Sequence, residues 1–181
     1  LEYNFLTVLR SLKMNWKDYG PPPTEILVQG TKTIRTFYDK LSTSAEASQN
    51  VSSVAIMPSL NLKGHGFLNV PSILFDGHMF ENLGALNLSH NNLISLDPRI
   101  SKLTSLQVLN LKGCKLDRIP ISLGVIKLKT LKMNFDLLQN IPYIFLKHAE
   151  TGVLNYLEKV YLEATVGCID FSNLNMATLP K

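Results

Sequence analysis

Side chains able to do chemistry are thinly spread along this chain. The four histidines, His65, His78, His90 and His148, show no metal-ligand spacing, so no metal site is expected. There is no G-x-x-x-x-G-K-[ST] loop, no G-x-G-x-x-G opening a helix, no G-x-S-x-G and no H-E-x-x-H. The nearest glycine cluster, Lys63-Gly64-His65-Gly66, suits a chain reversal instead. Of the two cysteines, Cys114 is expected in the core, and Cys168 lacks a neighbouring base that would make it a nucleophile. Neither catalysis nor a cofactor is therefore expected. What remains is the chemistry of reversible recognition, carried by Asn61, Lys63, Asn87, Ser89, Asn110, Lys112, Lys132 and Asn134. Amides fix the orientation of a bound surface, and lysines assist its encounter if it is acidic or polar.

Those residues need a scaffold, and a repeat supplies one. From Leu83 the chain reads LGALNLSHNNL, from Leu106 LQVLNLKGCKL and from Leu128 LKTLKMNFDLL, with looser copies from Leu9, Met57 and Val166. The second leucines of the clear copies, Leu86, Leu109 and Leu131, lie 23 and 22 residues apart. Pattern and period match L-x-x-L-x-L-x-x-N/C-x-L, the signature of leucine-rich repeats. In L-x-L the two leucines share one side of a short strand and the residue between them faces the other way. A single turn cannot bury its own leucines, so turns stack, extending one parallel sheet. The expected fold is an α/β leucine-rich-repeat solenoid, with short parallel strands on the concave face and helical or irregular convex arcs. At the ninth motif position only Asn91 and Cys114 conform. His65 and Asp136 take that place in other copies, where irregular turns are expected.

Alternation along the strands places Ser59, Asn61, Lys63, Ala85, Asn87, Ser89, Val108, Asn110, Lys112, Thr130, Lys132 and Asn134 on the open side, with Cys168, Asp170 and Ser172 in a further copy. Asn61, Asn87, Asn110 and Lys132 should form one column. Lys63, Ser89, Lys112 and Asn134 should form the next.

A longer duplication overlies the repeat, because Leu12-Lys13-Met14-Asn15 recurs as Leu131-Lys132-Met133-Asn134. Apolar residues at helical spacing follow each copy: Ile26, Gly30, Ile34, Phe37 and Leu41, then Phe145, Ala149, Val153, Tyr156 and Val160. These amphipathic helices are expected to close their repeat blocks. The expected organisation is the end of a first block with its helix over residues 1–41 and a Ser-rich, exposed linker over 42–55. A second block with its helix then covers 56–164, and a further block starts over 165–181. The segment PPPTEILVQGTKTIRTFYDKL from Pro21 resembles the one that follows the last repeat in intracellular Ras-group leucine-rich-repeat proteins. That resemblance implies an intracellular scaffold that binds other proteins, often signalling proteins. Roco-type GTPases carry a similar ending, which makes the sensing region of a larger GTPase or kinase the alternative.

Composition sets the remaining limits. In 181 residues, 18 Lys+Arg against 14 Asp+Glu leave a formal charge of +4, with 45% hydrophobic and 18% charged residues. Such a chain is not intrinsically disordered. The charge excess is small, and no aromatic residues interleave with the lysines of the expected face, so nucleic acid is not an expected partner. No apolar run reaches a membrane-spanning length and no basic-then-apolar segment opens the sequence. With only two cysteines, a cytoplasmic location is expected. Asn50-Val51-Ser52 and Asn87-Leu88-Ser89 match the N-glycosylation sequon and support a competing reading, an extracellular recognition domain.

Overall fold

A computed structural model describes residues 21–49, 57–76 and 79–166, without the side chains of residues 48 and 49. The expected first block before Pro21 and the further block with Cys168, Asp170 and Ser172 lie outside the described residues.

The fold is mixed α/β. Helices α1 (Thr24–Leu27) and α2 (Thr31–Gln49) precede strands β1 (Ser59–Asn61), β2 (Ala85–Asn87), β3 (Val108–Asn110) and β4 (Thr130–Lys132), and helices α3 (Tyr143–Leu146) and α4 (Ala149–Val166) follow. The strands form one parallel sheet in the order β1-β2-β3-β4. Its register aligns Leu60, Leu86, Leu109 and Leu131, all buried. Two residues on, Leu62, Leu88, Leu111 and Met133 form a second buried row. Each fully buried leucine removes enough apolar surface to contribute roughly 1.5–3 kcal/mol, which the row obtains only because turns stack.

Short 3-10 segments return the chain between strands at Ser72–Leu74, Pro98–Lys102 and Ile121–Val125, each opened by a proline at or beside its first residue. Leu74, Ile100 and Leu123 turn inward from these arcs. Leaving the strands, the backbone is left-handed at Gly64 (φ 70°), His90 (φ 56°) and Gly113 (φ 78°), positions glycine occupies at least cost.

Helices close both edges of this sheet. At one edge α2 packs against β1. Phe37 of α2 meets Phe67 edge-on, at 6.0 Å between ring centroids. The Glu25 carboxylate accepts the Leu68 N–H (3.0 Å), and Gln29 Nε2 donates to the His65 carbonyl (2.7 Å). The helix assigned from sequence to the end of the first block therefore seals the start of the second. It also differs in extent. A break ending at Gly30 (φ 88°) separates α1 from α2, and α2 runs on to Gln49 through residues expected to form an exposed linker from Ser42. The hydroxyls of Ser42 and Thr43 return to the Asp39 carbonyl (3.2 and 2.8 Å), while Ser44 and Ala45 are buried. Residues 50–56 of that linker lie outside the described residues.

At the other edge α4 packs against Ile121–Val125 and β4, burying Val153, Tyr156, Leu157 and Val160. The approach is close. A Cβ on Gly124 would collide with the Leu157 carbonyl oxygen. The Leu131 N–H, which points away from β3, is taken by the Glu150 carboxylate at 2.6 Å. An edge strand exposes such donors to stray pairing, and a carboxylate satisfies this one. Among the described residues no helix is long and apolar enough to cross a membrane.

Candidate functional site

The outer side of the sheet carries the expected residues in the expected columns. Strand pairing places Asn61 beside Asn87, Asn87 beside Asn110 and Asn110 beside Lys132. Asn61, Lys63, Lys112, Lys132 and Asn134 are exposed, while Asn87 and Asn110 are half-buried. Ser89 departs from the expectation. It is 3% exposed, so the second column is interrupted between Lys63 and Lys112. Lys63 and Lys112 at the same motif position are exposed, and the short serine between these two long side chains is the one covered.

The asparagines also shape the backbone. Asn61 Oδ1 accepts the Lys63 N–H (3.2 Å), Asn87 Oδ1 the Ser89 N–H (3.1 Å) and Asn110 Oδ1 the Lys112 N–H (3.1 Å). Three copies of one side-chain turn therefore end three successive strands. Asn134 reaches back one turn, its Oδ1 accepting the Gly113 N–H (3.1 Å). A reading of these amides as wholly partner-facing missed this role, although the recurrence of L-N-L at Leu60, Leu86 and Leu109 pointed to it.

Beneath the face, Asn91 ties two turns together. Its Nδ2 donates to the carbonyls of Leu62 (2.9 Å) and Leu88 (2.8 Å), and its Oδ1 accepts the Phe67 N–H (3.1 Å). Cys114, one turn on, points its sulfur at the Leu88 carbonyl (3.3 Å). Burial pushes its thiol pKa up, which leaves it a poor nucleophile. His65 occupies the same motif position in the first turn and is buried. Its ring stacks on Phe67, Nδ1 meets the Lys63 carbonyl (2.9 Å) and Nε2 lies 3.5 Å from Lys40 Nζ. Burial first, and the Lys40 charge in addition, hold its pKa below the ordinary value against the bond to Lys63. That turn is ordered rather than irregular. Asp136, by contrast, is exposed in a short 3-10 segment, Phe135–Leu137, that buries nothing.

Away from the strand face, a cleft of about 550 Å³ opens between α1 and the first turn, walled by Pro21, Pro23, Val70 and Pro71 with Glu25 and Asp76. Glu25 in this cleft is engaged with the Leu68 N–H. Comparison with models of known protein families finds no match, and comparison with curated proteins finds none either.

Proposed function

We propose that this chain is part of a leucine-rich-repeat solenoid, akin to the intracellular Ras-group proteins, that works without catalysis by holding other proteins against its exposed strand side. The column Asn61, Asn87, Asn110 and Lys132, locked in register by strand pairing, carries the reading. A flat row of polar groups on a stiff backbone meets a partner without first being ordered, which lowers the entropy cost of binding. The aliphatic rows, the 3-10 arcs and the Asn91 bridge between turns support the repeat assignment. The sequon at Asn87 fits an extracellular role poorly, since its Leu88 and Ser89 are buried. Signalling is the setting the family resemblance suggests.

The test is site-directed photocrosslinking in extract from the native source. A crosslinker at Val108, on the strand side, should capture discrete protein bands, whereas one at Ser122, on the opposite arc, should not. Capture from Ser122 alone would overturn the proposal.

A further inference from the structure

The Asn61 and Lys63 columns turn hydrogen-bond donors toward solvent. A backbone N–H can only donate, so the oxygen it meets in Asn61, Asn87, Asn110 and Asn134 must be Oδ1. Each amide is thereby oriented with its NH2 group turned away from the turn it caps. No acceptor among the described residues takes any of these four Nδ2 groups. Lys132 continues the first column with an ammonium, and Lys63 and Lys112 flank it. The Ser59 and Thr130 hydroxyls on this side accept as well as donate, and each Oδ1 keeps a second lone pair after meeting its backbone N–H.

Charge follows the same rule. Across the four strand turns, residues 57–64, 83–90, 106–113 and 128–135, there are four lysines, Lys63, Lys112, Lys129 and Lys132, and no aspartate or glutamate. The Glu150 carboxylate reaches β4 from α4, where it takes the Leu131 N–H.

We propose that the partner segment recognised here is an extended peptide rich in aspartate and glutamate, laid across the strands so that its carboxylates and backbone carbonyls meet the fixed amide donors and the lysines. The inference rests on the protein-binding reading above and narrows its ligand. Carboxylate is the acceptor that gains most from charged and fixed donors. Nucleic acid offers phosphate acceptors too, but the Asn61 and Lys63 columns hold no aromatic residue on which a base stacks.

The probes are a fluorescein-labelled Glu-Ser repeat peptide, its Gln-Ser counterpart and a single-stranded oligothymidine, followed by anisotropy on the whole chain. The Glu-Ser peptide should bind, weaken with added salt and outcompete the Gln-Ser peptide by about tenfold or more. The decisive variant is Asn110→Asp. Aspartate keeps the oxygen that accepts the Lys112 N–H, so the turn survives, but the outward donor becomes an acceptor. Binding should fall about tenfold or more with the circular dichroism spectrum unchanged, and Lys132→Gln should also weaken it. Thr104→Asp, the same added charge on an exposed loop, should leave affinity within about twofold.

Equal losses in Asn110→Asp and Thr104→Asp, or none in either, would overturn the proposal. So would preferential binding of the oligothymidine. If Thr130→Arg, beside Val108, abolishes capture by the Val108 crosslinker while acidic peptides never bind, the ligand class is wrong and the strand-side binding reading stands. If capture persists in Thr130→Arg and acidic peptides never bind, both fail.

Discussion

Replacing Asn91 with alanine removes a side chain that holds two turns together, and the cost follows from its three contacts. The carbonyls of Leu62 and Leu88 lose a donor, and the Phe67 N–H loses its acceptor. All three bonds are buried, with Asn91 itself 2% exposed. A net bond contributes about 1 kcal/mol, and a buried group left without a partner costs more, so Asn91→Ala should lose about 3–5 kcal/mol. That is a large share of the roughly 5–15 kcal/mol that holds a typical domain folded. Asn91→Cys should lose about 1 kcal/mol less than alanine, because a thiol can reach the preceding turn's carbonyl as Cys114 does. Urea unfolding followed by far-ultraviolet circular dichroism measures all three proteins, with unchanged slopes required for the comparison. A loss below about 1 kcal/mol for alanine would mean that the leucine rows alone hold the turns together, and the argument from the bridge would fail.

Three further outcomes are expected. Glu150→Ala should cost about 1–3 kcal/mol by orphaning the Leu131 N–H, while Glu150→Gln, which keeps an acceptor, should recover most of it; equal loss in both urea curves would refute the edge-capping role. Because the folded His65 pKa lies below its unfolded value near 6.5, the unfolded chain binds more protons between the two, so stability should fall as pH drops below about 6.5 and His65→Gln should flatten that slope. A slope unchanged by the substitution would assign the effect to other groups. Gly124→Ala should destabilise by about 1–3 kcal/mol by pushing α4 off the arc, read as a lowered melting temperature; a neutral result would show that the helix shifts freely.

The leucine spacing made the strands, their parallel order and the polar columns legible, because a period-two alternation has one solution once Leu60, Leu86, Leu109 and Leu131 share a core. It also predicted the core placement of Cys114. The extent of α2 was not legible. Serine and threonine read as linker residues because their hydroxyls compete for backbone groups, yet Ser42 and Thr43 spend theirs on the helix's own Asp39 carbonyl. Ser89 was misplaced for a related reason. Nothing in the pattern L-N-L-S sets it apart from L-N-L-K, and only packing shows that the short serine is covered where Lys63 and Lys112 stay exposed. The capping of Leu131 by Glu150 joins residues distant in sequence, and only packing of α4 reveals it.

Helical closure at both margins makes the sheet a ruler of fixed length. Four rungs at about 4.8 Å span roughly 14 Å, the reach of some four residues of extended chain at ~3.3 Å each. So small a footprint favours brief, reversible engagement. Durable attachment would then demand several such stations on one molecule, or a ligand that repeats its motif, with linker length deciding how strongly the contacts reinforce one another.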